Sequence, residues 1–103
     1  PHMAAYSAAK HAVVGLVRSV AGELVDSGIT INAVAPGSTR TPILDASAAV
    51  YGLADVEAFT EHHPIGRLLE PTEVADAVSW LCSSGAAAVT GSVVAVDGGM
   101  TAV

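Results

Sequence analysis

Residues 28–42, GITINAVAPGSTRTP, combine an apolar segment with a Pro-Gly turn. The first part of this stretch, Ile29–Ala35, is short, apolar and rich in β-branched residues, which is typical of a buried strand. Pro36-Gly37 ends that strand, because proline and glycine are strong turn-forming residues. A second apolar segment, Ser92–Val96, is predicted to be another buried strand, and Asp97-Gly98-Gly99 follows it.

Helical patterns lie around these two strands. Proline suits the first turn of a helix at Pro71, and Gly28 suits the left-handed position after a last turn. Apolar strands separated by helices indicate an α/β fold with a parallel sheet that is buried on both faces. The predicted helical segments are Ala5–Asp26, Pro42–Val50, Asp55–His62 and a late helix that opens at Pro71-Thr72-Glu73 and ends around Ser83–Gly85.

Composition and charge exclude several classes of protein. The 103 residues are 51% hydrophobic and carry a net charge of −6 with only four lysine and arginine residues. Such a chain has no basic patch for nucleic acid, and no apolar run reaches the length of a membrane span. One cysteine, Cys82, cannot form a disulfide within the chain, which favours a reducing, cytoplasmic setting.

Two faces of the first helix are distinctive. Tyr6 and Lys10, the only lysine, lie one helical turn apart at the end of an apolar stripe. A second stripe contains only small residues, and we expect it to pack closely against another helix, plausibly of a second subunit. Its members are Ala8, Ala12, Gly15, Ser19 and Gly22.

The Tyr6/Lys10 pair has a chemical interpretation. A free tyrosine is a poor base near neutral pH, and a nearby ammonium favours the phenolate. The pair would therefore give a hydroxyl that can donate or accept a proton, as acid–base chemistry at a carbonyl requires. The alternative is an interfacial tyrosine beside a solvated lysine, and the spacing alone leaves it open.

Four blocks, taken in order, resemble the C-terminal half of the short-chain dehydrogenase/reductase family. The resemblance is to its compact, single-domain, NAD(P)-dependent branch, and it runs over nearly all of the chain. The stretch STRTPILDASAAVYGL, residues 38–53, is also similar to dehydrogenases associated with the redox cofactor mycofactocin. The four blocks are YSAAKHAVVGLVRSVAGEL, GITINAVAPGSTRTP, GRLLEPTEVADAVSWLCSS and TGSVVAVDGG.

This resemblance implies roles for individual residues. Tyr6 matches the catalytic tyrosine, which exchanges a proton with the substrate oxygen, and Lys10 matches the lysine that binds the nicotinamide ribose. Pro36-Gly37 match the turn against the nicotinamide, and the backbone near Thr39 is expected to bind the carboxamide. The implied catalytic residues are Tyr6 and Lys10, and the implied cofactor-binding residues are Lys10, Pro36, Gly37, Thr39 and Thr41. The implied lid over the substrate is Pro42–His63.

The chain departs from the family in three features. It contains no G-x-G-x-x-G, and neither the catalytic serine nor the asparagine that precede the tyrosine in the family. Ser7 is no substitute for that serine, because it faces another direction on the helix. We therefore expect residues 1–103 to be the C-terminal portion of one Rossmann-like doubly wound domain, without its N-terminal dinucleotide-binding half.

Other candidate residues have simpler interpretations. His62-His63 are expected to lie on the lid surface rather than to bind a metal, because no third ligand has suitable spacing. Trp80 is expected to anchor packing rather than to contact substrate. Apolar residues of the lid suggest an apolar or mixed substrate: Leu44, Val50, Tyr51, Leu53 and Phe59.

The sequence thus predicts an enzyme that uses NAD or NADP to interconvert a carbonyl and an alcohol of a small molecule. This chain alone is expected to be inactive, and relatives suggest a homotetramer or dimer. Choice between NAD and NADP depends on residues of the family fold that this chain does not contain. Two alternatives stay open: a non-catalytic fragment that acts in association, and a sugar-nucleotide epimerase of the extended branch, which shares the Tyr/Lys pair.

Overall fold

The computed structural model describes residues 3–102, apart from the side chain of His62. Helices and strands alternate along the chain, and two 3-10 helices, Val56–His62 and Ser84–Ala86, lie between them. The remaining elements are α1 (Ala4–Glu23), β1 (Ala33–Pro36), α2 (Pro42–Tyr51), α3 (Pro71–Leu81) and β2 (Val93–Val96).

The strands β1 and β2 pair in a two-stranded sheet. The Ala33 N–H donates to the Ser92 carbonyl, and the Gly37 N–H donates to the Val96 carbonyl, each over 2.9 Å. Because both partners advance together along the chain, the strands are parallel. The predicted α/β class with a parallel sheet is confirmed.

The strand predicted at Ile29–Ala35 is shorter than expected and begins at Ala33. Before Ala33, the Gly91 N–H still donates to the Ile31 carbonyl over 2.7 Å, and side chains take part in the other bonds. The Ile31 N–H donates to Thr90 Oγ1, and Asn32 bonds the Val89 carbonyl and the Ser92 N–H through its amide. The prediction of complete burial is wrong for this chain, since Ala35 and Pro36 are exposed, as is every second residue of β2.

Residues 1–33 and 80–94 form one compact unit, called here the first unit. Its helix α1 ends at Glu23 rather than at Asp26, because the Ser27 hydroxyl and N–H both bond the Leu24 carbonyl and form a turn. Gly28 has a φ of 74°, as the sequence predicts. Val17 and Ala21 are the buried residues of α1. A Cβ on Gly91 would lie 3.1 Å from the Ala21 Cβ, so the helix packs closely on the backbone there.

Residues 34–79 and 95–103 form the second unit. The two predicted helical segments of the lid are confirmed, one as α2 and the other as the 3-10 helix Val56–His62. Gly52 ends α2 with a φ of 66°, and the Asp55 carboxylate accepts from the Glu57 N–H at the start of the 3-10 helix. The buried residues of this unit include Ala48, His63, Leu68 and Leu69.

The start of α3 is held by an ion pair. Glu73 accepts two bonds of 2.7 Å from the Arg67 guanidinium and one of 2.8 Å from the Glu70 N–H. The bonds from Arg67, with the Glu70 N–H next in importance, lower the pKa of Glu73 from 4.5 to about 2. Because the lower pKa belongs to the folded state, ionised Glu73 stabilises the fold.

This arrangement predicts a pH dependence of stability. The contribution of Glu73 should be complete above about pH 4.5 and should be lost as the pH falls towards about 2. In the full-length protein, Glu73→Gln should lower the free energy of unfolding at neutral pH. The gap between the unfolding free energies of variant and wild type should close as the pH falls from about 4.5 to about 2. Urea unfolding of both proteins over a pH series measures the gap. A gap of constant size would contradict the prediction.

Within residues 3–102, no helix is long and apolar enough to cross a membrane.

Candidate active site

Tyr6 and Lys10 lie in the first turns of α1, in the first unit. Their spacing of four residues places the Lys10 Nζ over the Tyr6 ring, 5.3 Å from the ring centroid. At this distance the ammonium is attracted to the face of the ring. Tyr6 is 56% exposed, so its hydroxyl is open to a ligand. The pair therefore supplies an accessible hydroxyl with a cation held beside it.

The turn after β1 lies in the second unit. Most of its backbone N–H groups donate a hydrogen bond within the chain. The Gly37 N–H donates to the Val96 carbonyl, and the Ser38 N–H donates to His63 Nε2 over 3.0 Å. The Arg40 N–H donates to the Leu69 carbonyl, and the Leu69 N–H donates to the Ser38 carbonyl. These last two bonds make a parallel bridge between Thr39 and Leu69.

The Thr39 and Thr41 N–H groups are the exceptions in this turn. Among the described residues nothing accepts a hydrogen bond from either of them, whereas the N–H groups of Gly37, Ser38 and Arg40 are all bonded. The Thr39 hydroxyl bonds the Gly37 carbonyl, and the Thr41 hydroxyl bonds the Thr39 carbonyl, over 3.0 and 3.2 Å. The Thr39 N–H, which lies between the bonded amides of Ser38 and Arg40, is thus a backbone donor for a ligand with a carbonyl oxygen.

Gly37 is required by close contacts within the chain. A Cβ there would lie 2.6 Å from His63 Cε1, 2.9 Å from the Asp97 Cα and 3.0 Å from the Asp97 carbonyl oxygen. The family resemblance implies that Pro36-Gly37 lie against a nicotinamide ring. Within this unit, the space that a side chain would fill is occupied by His63 and Asp97 instead.

The turn after β2 is built around Asp97. One carboxylate oxygen accepts from the Gly99 N–H over 3.0 Å, and the other accepts from the Thr101 N–H and hydroxyl over 3.0 and 2.6 Å. The hydroxyl bond, together with the backbone bonds, lowers the pKa of Asp97. Gly98 and Gly99 have φ values of 61° and 85°, which suit glycine.

The lid contains a cavity of about 500 Å³. Tyr51 and Phe59 meet edge-to-face there, with ring centroids 6.3 Å apart, and most of the wall is apolar. The lining residues are Tyr51, Leu53, Ala58, Phe59 and Glu61.

Arg40 lies at the border of this lid. Its guanidinium bonds Glu57 over 2.8 Å and Glu70 over 3.3 Å, so its charge is already partnered. Between Pro42 and Gly66 the sequence has no lysine or arginine. The lid therefore offers no free cation from lysine or arginine to an anionic group.

Two predictions about single side chains need correction. His63, expected on the lid surface, is only 4% exposed, and the side chain of its neighbour His62 lies outside the described residues. Trp80, expected as a packing anchor, is 48% exposed in this chain. In the described part of the chain, no group of three or more His, Cys, Asp or Glu side chains could hold a metal ion.

The predicted site residues thus form two groups. The first unit brings Tyr6 and Lys10 together, and the second brings together the turn residues Pro36, Gly37, Thr39 and Thr41. The sequence did not single out His63 as part of this turn.

Comparison with known proteins identifies the family. A family model described as enoyl-(acyl carrier protein) reductase matches residues 1–101. The chain belongs to the short-chain dehydrogenase/reductase family.

Two curated members of this family show the level of similarity. One is the 2,5-dichloro-2,5-cyclohexadiene-1,4-diol dehydrogenase of Sphingobium indicum, 48% identical over 95% of this chain and 39% of the relative. Another is the cis-4-hydroxycyclohexanecarboxylate dehydrogenase of Sinomonas cyclohexanicum, 51% identical over 95% of this chain and 38% of the relative. The chain thus spans about two fifths of the length of these relatives.

A solved family member gives the same fold. The structure of a variant of actinorhodin polyketide ketoreductase with NADPH is 42% identical, with a TM-score of 0.85 over 96% of this chain and 41% of that chain. This likeness confirms that the two strands and their helices belong to a Rossmann-like α/β fold.

Proposed function

We propose that this chain is the C-terminal part of an NAD(P)-dependent oxidoreductase that interconverts an alcohol and a carbonyl compound. The observation that carries the proposal is the Lys10 ammonium held over the ring of an exposed Tyr6. Membership of the short-chain dehydrogenase/reductase family supports the same assignment. The relatives reported above are dehydrogenases and a ketoreductase, which favours this reaction over sugar-nucleotide epimerisation.

In the proposed mechanism, Tyr6 is the acid–base catalyst. Its hydroxyl gives a proton to the substrate oxygen during reduction of the carbonyl and takes that proton back during oxidation of the alcohol. The Lys10 ammonium stabilises the phenolate that is left after the proton has moved, because opposite charges attract. The nicotinamide cofactor supplies or receives the hydride.

The turn of the second unit fits the carboxamide of a nicotinamide. A carboxamide has a carbonyl oxygen, and the unbonded Thr39 N–H is a donor for it. Pro36, Gly37 and Thr41 would line the same turn, and Lys10 would bind the ribose. The proposal takes the cofactor to be NAD or NADP, because nothing in this turn distinguishes the two.

The proposed substrate is a neutral, largely apolar small molecule. The lid cavity has the Tyr51–Phe59 pair in its wall and Glu61 as its charged residue, and Arg40 is partnered by two carboxylates. A carboxylate on the substrate would find no free lysine or arginine in residues 42–63 and would be repelled by Glu61. Of the two curated relatives, the one that acts on a diol is therefore the nearer guide.

A binding experiment tests the cofactor assignment. The pyrophosphate of a dinucleotide needs a glycine-rich turn at a helix N-terminus, and residues 1–103 have no such sequence. Calorimetric titration with NADH and NADPH should therefore show micromolar binding by the full-length protein and none by the isolated chain. Micromolar binding by the isolated chain would contradict the inference that the pyrophosphate-binding turn lies outside residues 1–103. Absence of binding by the full-length protein would favour the alternative of a non-catalytic association module.

The proposal extends to assembly and location. Every residue of the small stripe on α1 is exposed, and a Cβ on Gly15 or Gly22 would meet nothing within 4 Å. We propose that this stripe packs on another copy of the chain and that α3 and β2 form a second two-fold interface, which together give a tetramer. The free, exposed Cys82 agrees with the reducing cytoplasm.

The substitution Gly15→Leu tests the first interface. In the full-length protein, the new side chain should clash across the two-fold axis and split the tetramer into dimers held by the second interface. Light scattering gives the mass directly. Arg18→Leu, which places the same leucine side chain one turn along but outside the small stripe, serves as the control and should leave the tetramer intact. An unchanged mass for Gly15→Leu would show that the small stripe is not an interface.

A further inference from the structure

His63 is a buried histidine that the proposed reaction does not use. It lies in the second unit, directly after the 3-10 helix Val56–His62 and before Pro64, and only 4% of it is exposed. Its backbone is held on both sides, because its N–H donates to the Thr60 carbonyl and its carbonyl accepts from the Gly66 N–H. The backbone that carries the ring is therefore held by its own segment.

One ring nitrogen has a defined partner. The Ser38 N–H donates to His63 Nε2 over 3.0 Å. An amide N–H can only donate, so Nε2 must be unprotonated, and the proton of the neutral ring lies on Nδ1. Nδ1 is buried and has no hydrogen-bond partner among the described residues.

The ring fills the space between the turns that follow the two strands. On one side, His63 Cε1 lies 2.6 Å from the place where a Cβ on Gly37 would stand. On the other side, Nδ1 lies 3.1 Å from the place where a Cβ on Gly98 would stand. The two glycines thus leave room for one imidazole, which touches both turns.

An apolar side chain would fill this space at lower cost. Burial of a polar nitrogen without a partner destabilises a fold, and the unpaired Nδ1 of His63 is such a group. The one contact that an apolar residue could not make is the hydrogen bond from the Ser38 N–H. The imidazole is therefore explained by its acceptor nitrogen and not by its volume.

That hydrogen bond lies next to the unbonded Thr39 N–H. Because His63 takes the Ser38 N–H and the Leu69 carbonyl takes the Arg40 N–H, the amides on both sides of Thr39 are fixed. We propose that His63 is a positioning residue for the cofactor: it orients the turn so that the Thr39 N–H faces the nicotinamide carboxamide. This inference rests on the proposed NAD(P)-dependent function.

Three substitutions in the full-length protein distinguish the role of the His63 acceptor nitrogen from the role of the volume that the ring fills. In His63→Gln the amide oxygen reaches the same ε position as Nε2, so it can still accept from the Ser38 N–H. His63→Asn carries the same amide one bond too short, and His63→Leu fills the space without an acceptor. The dissociation constant of NADH or NADPH, whichever binds wild type, is measured by titration for all four proteins, and thermal unfolding reports the folded state of each.

We expect cofactor affinity to depend on whether the side chain at position 63 can accept the hydrogen bond from the Ser38 N–H. His63→Gln should bind the cofactor within about threefold of wild type, and His63→Asn and His63→Leu should bind it about tenfold more weakly or worse, as loss of one hydrogen bond implies. Equal binding by all variants, or a His63→Gln protein that is unfolded or as weak as His63→Asn, would overturn the inference. If His63→Leu does not fold, the Gln and Asn variants decide. Wild type that binds neither cofactor would refute the proposed function itself.

Discussion

Replacing Tyr6 by phenylalanine is expected to remove nearly all activity of the full-length enzyme. The variant loses only the hydroxyl that exchanges the proton, and loss of a general acid–base catalyst lowers a rate by about 10²–10⁴-fold. The fold should stay intact, because Tyr6 is 56% exposed and its hydroxyl makes no hydrogen bond within the described part of the chain. Steady-state kcat, with circular dichroism as the check on folding, measures both effects.

Ser7→Ala is the matched control for this experiment. It also removes a single hydroxyl from the same exposed turn of α1, one residue away. Its kcat should stay close to that of wild type. Near-normal turnover by Tyr6→Phe would refute the assignment of Tyr6, and an equal loss in both variants would show that the helix start, rather than the Tyr6 hydroxyl, is what matters.

Replacing Gly37 by alanine is expected to cause the largest loss of stability. The added Cβ would lie 2.9 Å from the Asp97 Cα and 3.0 Å from its carbonyl oxygen, and backbone atoms cannot move aside as a side-chain tip can. Overpacking of this kind costs about 1–3 kcal/mol. The unfolding free energy of the full-length protein should fall by that amount, and cofactor binding should weaken, because the turn around Thr39 is displaced.

Gly85→Ala provides the comparison. Its Cβ would meet Ser83 Oγ at 3.4 Å and Trp80 Nε1 at 3.7 Å, which are ordinary contacts. The unfolding free energy of this variant should change by well under about 1 kcal/mol. If Gly37→Ala were as stable as Gly85→Ala, the inference that the turns at Gly37 and Asp97 pack closely would be refuted.

Much of the fold could be predicted from local sequence. Pro42 and Pro71 begin the helices α2 and α3, and Gly28 takes the left-handed conformation, because these residues act through their own backbone. The strand ending at Pro36-Gly37 was also predicted. Its start was not, because the side-chain bonds of Asn32 and Thr90 that interrupt the regular ladder join residues 57 and 59 positions apart.

Only the local part of the candidate site could be predicted, because contacts between residues far apart in the sequence leave no local pattern. Tyr6 and Lys10 are neighbours on one helix, so their spacing alone brings them together. The burial of His63 depends on contacts with Ser38, Gly37 and Gly98, which lie 25 to 35 residues away in the sequence. A histidine between another histidine and a proline carries no local sign of such contacts, so the sequence favoured a surface position.

Isotope transfer is a direct test of the proposed hydride transfer. The full-length protein is given NADH or NADPH with deuterium at the transferable position of the nicotinamide ring, together with a neutral alicyclic ketone. Mass spectrometry should find the deuterium on the carbinol carbon of the alcohol product. An alcohol product without deuterium, or no conversion with either cofactor over a panel of such ketones, would contradict it.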